Sequence, residues 1–99
     1  METFVYIIQS QFDGSYYIGT SANPQERLMK HNRPHKGYTA RKQPWKLVLK
    51  TAFENKSEAL KYEKFLKKQK SKVFIENLIL QYQLKNSLAE NKTSSSSEG

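Results

Sequence analysis

Ninety-nine residues without a cysteine fit one small domain and exclude both a disulfide framework and a thiolate zinc site. Seventeen Lys and Arg against nine Asp and Glu leave a net charge of +8, which suits a polyanionic partner, because lysines and arginines neutralise phosphates and release counterions. Two histidines are too few for a histidine-rich metal cage, and no apolar run approaches the roughly 20 residues of a membrane span.

The chain begins METFVYII, which lacks the positive segment and small-residue cleavage site of a signal peptide and reads directly as a strand. A cytoplasmic protein with no membrane partner is expected. Residues 3–9 and 15–21 read as a hairpin, since β-branched and aromatic residues cluster there around the turn signal Asp13-Gly14. With Asp13 and Gly14 as a two-residue turn, Phe12 faces Ser15 and paired positions sum to 27. Any odd sum puts Tyr6 and Tyr17 on one face of the sheet, because side chains alternate with period two. Gly19 shares that face and leaves an open spot beside the two phenols. Strand tyrosines are usually packing residues, but two phenols flanking a gap on a basic domain point to phosphate chemistry.

Asn23-Pro24-Gln25-Glu26 is a helix start, with Asn23 as cap, Pro24 in the first helical position and Glu26 closing a capping box. The helix runs to about Asn32 and carries Arg27 and His31 four residues apart on one face. Arg27 can reach a phosphate beside Tyr17, its planar fork matching phosphate oxygens, and His31 can move a proton near neutral pH. The ordinary alternative is a solvated Arg and a helix-end His that complements the helix dipole.

Residues 33–45 hold two prolines and a glycine and read as a basic loop. Within it, Lys36 to Lys42 mixes cations with Tyr38, a composition able to follow a nucleic-acid backbone and stack a base. Trp45 packs under the sheet more readily than it reads DNA, and Trp45–Phe53 reads as a third strand. Asn55 and Glu58 start a second helix that ends near Gln69, and Ser71 caps a third over roughly 72–85. There Ile75, Leu78, Ile79 and Tyr82 follow helical spacing and face the core. Residues 86–99 turn polar and serine-rich, the composition of a disordered tail behind a domain of residues 1–85. The order β-β-α-β-α-α gives an α+β fold on a small three-stranded antiparallel sheet flanked by three helices.

Glu63 breaks the pattern of the second helix. Ala59, Tyr62 and Leu66 set out an apolar stripe, and Glu63 occupies a slot of that stripe. An inward carboxylate needs a cation, a metal or hydrogen-bond donors. It is also the only acid among six lysines between Lys61 and Lys72. A structural ion pair and a site for Mg²⁺ or Mn²⁺, held mostly by water, both answer that need. From Arg27 to Phe53 there are eight cations and no carboxylate. Lys30, Lys36, Tyr38, Arg41, Lys42, Lys46 and Lys67 are the candidates for gripping nucleic acid.

VYII at 5–8, YYIGTSANPQERLMKHN at 16–32, GYTARKQPWKLV at 37–48 and ENKSEALKYEKFLKK at 54–68 together resemble the GIY-YIG endonuclease superfamily. The likeness is to its small stand-alone members, which are similar to the nuclease domain of the excision-repair C subunit. The first half-motif reads Phe4-Val5-Tyr6, without its namesake glycine. The resemblance implies one divalent metal and hydrolysis of a DNA phosphodiester, nicking in a repair or processing context. It matches Tyr6 and Tyr17 to the motif tyrosines, Gly19 to the motif glycine, Arg27 and His31 to the first-helix pair, and Glu63 to the metal-binding glutamate. Asn77 is the nearest candidate for an asparagine that some relatives add to the site. Duplex, nicked and branched DNA are all open as substrates, as is the oligomeric state. The competing reading is a nuclease-like fold that holds nucleic acid without cutting.

Overall fold

Residues Thr3–Ser10 alternate large apolar side chains to both sides, and this strand, β1, becomes the middle of the sheet. The computed structural model describes residues 2–98, with side chains described as far as residue 86. The strand order is β2-β1-β3, all antiparallel, with β2 at Tyr16–Ser21 and β3 at Trp45–Phe53. Three helices follow the expected order: α1 at Pro24–Asn32, α2 at Lys56–Gln69 and α3 at Lys72–Glu98, with a short 3₁₀ turn at Ala40–Lys42 inside the basic loop.

Both sides of β1 are covered. Val5 and Ile7 pack with Val48, Leu49, Ala59, Leu66, Ile75 and Ile79 in a core beneath α2 and α3. Tyr6 and Ile8 pack with Trp45, Tyr17, Leu28 and Leu47 on the side of α1. The β1–β3 register shifts between Ile7, opposite Leu49, and Ile8, opposite Leu47. That bulge lets Val48 and Leu49 enter the same core although they are adjacent in sequence.

The hairpin departs from the expected turn. Tyr6 pairs with Gly19 and Gln9 with Tyr16, so partners sum to 25, and the connection is longer than two residues. Ser10 is the cause. Its backbone N–H donates to the Ser15 carbonyl, and its hydroxyl oxygen accepts from the Phe12 and Asp13 N–H groups. Asp13 Oδ1 accepts from the Ser15 N–H, and Gly14 takes φ +79, open to glycine without strain. A shift of two leaves the facing of every side chain unchanged, so Tyr6, Tyr17 and Gly19 share the α1 side.

The helix starts fall where the caps put them. Asn23 Oδ1 accepts from Glu26 N–H, Asn55 Oδ1 from Glu58 N–H, and Ser71 Oγ from Phe74 N–H. The reciprocal half of each capping box is not used. The Asn23 N–H donates to Ser21 Oγ, while Glu26 pairs with Lys30 and Glu58 with Lys61. On α3, Ile75 and Ile79 are buried and Leu78 and Tyr82 pack beside them. The backbone of α3 is helical beyond 85, and the tail expected over 86–99 falls mostly outside the residues whose side chains are described.

Candidate active site

A missing side chain creates the centre of the site. Gly19 lies opposite Tyr6 in the register, and a Cβ built there would stand 2.6 Å from the Tyr6 hydroxyl and 2.7 Å from Cζ. The Tyr6 ring therefore reaches across β2 over backbone alone. Tyr17, two residues earlier on the same face, has its ring centroid 6.5 Å from that of Tyr6.

The C-terminal turn of α1 brings His31 onto the pair. Its ring lies 4.7 Å from the Tyr17 centroid and 6.3 Å from that of Trp45, and Nε2 is 3.4 Å from the Tyr6 hydroxyl. The turn is pinned from two directions. Asn32 accepts from the Trp45 N–H at 2.6 Å and donates to the Trp45 carbonyl at 2.9 Å. Gln43 Nε2 donates to the carbonyls of His31 and Arg33. Trp45 is buried against Tyr17 and His31, with its indole N–H donated to the Thr39 carbonyl.

Electrostatics set the proton positions in this cluster. Burial, reinforced by Tyr17, pushes the Tyr6 phenol up to about 12; Arg27 opposes the rise and the Glu63 carboxylate adds to it. Burial, then His35 and Arg27, hold His31 below its ordinary value of 6.5. At neutral pH Tyr6 keeps its proton and His31 is neutral; with the imidazole proton on Nδ1, the Tyr6 O–H donates and His31 Nε2 accepts. Arg27 is exposed on α1.

Glu63 approaches from the other side. Thr20 pairs with Val5 and faces α2, and its hydroxyl donates to Glu63 Oε1 at 2.5 Å. Lys67, one turn along α2, holds Oε2 at 3.2 Å. The Glu63 side chain remains 19 % exposed. Because β2 is an edge strand, the phenols and Glu63 reach the Gly19–Thr20 stretch from opposite faces of the sheet. Glu63 makes no hydrogen bond to either phenol among the described residues, yet its charge registers on Tyr6. The sequence expectation of one tight cluster thus resolves into two parts. Tyr6, Tyr17 and His31 are in contact, and Arg27 and Glu63 border them.

Of the residues expected to grip nucleic acid, Lys30, Lys36, Tyr38, Arg41, Lys46 and Lys67 are exposed. Lys42 is engaged: it pairs with Asp13 and lies 4.9 Å over the Tyr38 ring. Asn77 is exposed on α3, with no hydrogen bond to a described residue. Thr20, Asn32 and Gln43 were missed as supports. A Thr directly after the motif glycine was the one local signal for Thr20, whereas Asn32 and Gln43 act through backbone groups that no spacing reveals. Among the described residues no helix is long and apolar enough to cross a membrane.

Residues 2–77 match the family model described as the GIY-YIG catalytic domain. Over 71 residues the chain is 38% identical to a UPF0213 protein of Streptococcus pneumoniae, 70% of each chain being covered. Over 64 residues it is 39% identical to the structure-specific endonuclease subunit SLX1 of Phaeosphaeria nodorum, covering 59% of this chain and only 18% of that one. The solution NMR structure of a UPF0213 protein from Bacillus halodurans superimposes with a TM-score of 0.51 at 30% identity, covering 82% of this chain and 85% of that chain.

Proposed function

The chain belongs to the GIY-YIG family, and on that footing we propose that it is a metal-dependent endonuclease that hydrolyses a DNA phosphodiester and nicks one strand per visit. The observation that carries the reading is the Tyr6–His31 hydrogen bond beside Gly19, bordered by one cation and one carboxylate.

A free phenol is a poor base at neutral pH, and burial makes Tyr6 poorer still. The hydrogen bond removes the difficulty. As Tyr6 accepts a proton from the attacking water, its own proton passes to His31 Nε2, so no free phenolate forms. The water oxygen bonds to phosphorus as the bond to the 3′ oxygen breaks. Tyr17, whose hydroxyl bonds to no described residue, orients the scissile phosphate. Arg27 stabilises the charge that builds on the phosphoryl oxygens.

The donor set bears on the metal. Among the described residues no three His, Cys, Asp or Glu side chains gather. The site fits an ion held by one protein carboxylate and otherwise by water and phosphate oxygens, the habit of Mg²⁺ and Mn²⁺. Glu63 would hold it, with Thr20 fixing the orientation of the carboxylate. When bound, such an ion polarises the phosphoryl group and offsets charge on the leaving oxygen. The exposed cations Lys30, Lys36, Arg41 and Lys46, with Tyr38, grip the flanking backbone.

Supercoiled plasmid incubated with Mg²⁺, with Mn²⁺ and with EDTA is the direct test. Nicked circles in the metal lanes and intact plasmid in EDTA are expected. Salt-sensitive binding with intact plasmid in all three lanes would instead identify a non-catalytic nucleic-acid-binding module.

A further inference from the structure

The face of β2 that carries Thr20 also borders a groove of about 490 Å³, running to the junction of α2 and α3. This volume lies within the roughly 300–1,000 Å³ range of small-ligand sites. Its floor is apolar and aromatic: Tyr16 and Ile18 from β2, Leu66 from α2 and Ile75 from α3. Three lysines, Lys67, Lys70 and Lys72, line it. The groove meets the candidate active site at edge strand β2: it is bordered by Tyr17, whose ring lies on the opposite face, and by Lys67, the ion-pair partner of Glu63.

Lys70 is unusual in its backbone. It closes α2 at φ 48, ψ 25, the left-handed region where glycine is the default. A lysine there carries a conformational cost that glycine avoids, and the side chain gained by it lines the groove. Two acids stand near. Asp13 borders the groove, but its carboxylate is taken by Lys42 and Ser15. Burial holds the Tyr16 phenol above its ordinary value of 10.0, and the charge of Glu76 adds to the rise.

We propose that this groove receives an unstacked nucleobase of the DNA strand next to the scissile phosphate, the base lying against Tyr16 and its flanking phosphates on Lys70 and Lys72. An aromatic floor under a cationic rim is the arrangement that holds single-stranded nucleotides, base on ring and phosphate on lysine. A peptide strand added along the free edge of β2 would draw no benefit from three lysines. The proposal rests on the nuclease reading for the position of the scissile phosphate, and it does not depend on that phosphate being cut. The strand, rather than a free nucleotide, is the source, because the groove runs along edge strand β2 to Lys67, the partner of Glu63.

Binding in EDTA separates this from catalysis. The full chain is titrated into two duplexes that differ at one position, where 2-aminopurine is either paired or left unpaired opposite a gap. Affinity and 2-aminopurine quenching are read together. Base–aromatic stacking of about 1–3 kcal/mol corresponds to roughly 5- to 150-fold tighter binding of the unpaired duplex, with quenching. Tyr16→Ala and Lys70→Gly each bring that preference to within about twofold while leaving paired-duplex affinity nearly unchanged. Lys70→Gly relieves the left-handed residue, so its fold is secure. Equal affinity for both duplexes overturns the proposal, as does a preference that survives both variants or one that free dAMP displaces completely. Failure of the plasmid test would remove the nuclease reading and leave this binding result standing.

Discussion

The Tyr6 hydroxyl rests where the side chain of residue 19 would be, 2.6 Å from the position of a Cβ. The phenol and the glycine are thus one device, since the ring can reach across the edge strand only over bare backbone. Gly19→Ala forces the Tyr6 ring aside, and overpacking of this kind costs about 1–3 kcal/mol. The expected result is a thermal midpoint lowered by several degrees and plasmid nicking reduced at least a hundredfold. A fully active Gly19→Ala protein would show that the position of the ring is unimportant.

Glu63 is held by a hydroxyl on one oxygen and an ammonium on the other. Glu63→Ala should abolish nicking in Mg²⁺ while DNA binding, measured by gel shift, stays close to that of the parent. Thr20→Val keeps the shape of the side chain and removes the bond that aims the carboxylate. Supporting bonds of this sort are worth roughly 10–100-fold in metal affinity. The Mg²⁺ concentration for half-maximal nicking should rise by about that factor in Thr20→Val, with little loss at saturating metal. Wild-type cutting by Glu63→Ala would remove the metal assignment.

Tyr16 and Tyr17 are sequence neighbours on opposite faces of β2. Tyr17 packs on His31, whereas Tyr16 packs against the core under α2 and α3. Removing one hydroxyl therefore has unequal effects. Tyr17→Phe is expected to slow nicking by about 10²-fold, within the range for a group that orients a reacting phosphate, and Tyr6→Phe by more. Tyr16→Phe should cut at close to the parent rate, since phenylalanine preserves both packing and stacking. Equal rates for Tyr16→Phe and Tyr17→Phe would contradict the assignment of faces.

The periodic parts of this molecule were legible in its sequence. Strand Trp45–Phe53 and the helix starts after Asn23 and Asn55 follow from local chemistry acting within four residues. The shared face of Tyr6, Tyr17 and Gly19 survived a wrong turn because parity alone determines it. What stayed hidden depended on contacts distant in the chain. Ser10 converted the Asp13-Gly14 turn into a longer loop by taking up two N–H groups with one hydroxyl. Lys42 was drawn from the basic set by Asp13, 29 residues away. The Thr20 bond to Glu63 spans 43 residues, so the inward carboxylate was visible and its partner was not.

Asn32 pins the helix end that carries His31. It makes both a donated and an accepted bond to the backbone of Trp45, fixing the end of α1 to the start of β3 next to His31. Asn32→Ala leaves a Trp45 N–H and carbonyl without these partners, a cost of about 1–3 kcal/mol. A drop of several degrees in thermal midpoint is expected. Nicking by the folded fraction should also fall, because the imidazole loses its fixed distance to Tyr6. A stability loss with unchanged activity per folded molecule would mean that the pin does not set the position of His31.

Two titrations in the cluster give the protein a defined pH window. His31 is held below 6.5 when folded. Between that lowered value and 6.5 the unfolded chain binds more protons, so the contribution of His31 to stability is present above pH 6.5 and is lost as pH falls. Tyr6 is raised from 10.0 to about 12. Its contribution is present below pH 10 and is lost as pH climbs toward 12. Denaturant midpoints should therefore decline on both flanks, His31→Gln flattening the acid side and Tyr6→Phe the alkaline side. The rate follows the same chemistry. In the proposed relay His31 must be neutral to accept the proton passed through Tyr6, so the acid limb of nicking should have a midpoint below 6.5 and should vanish, along with most of the rate, in His31→Gln. An acid limb that persists unchanged in His31→Gln would assign that proton to another group.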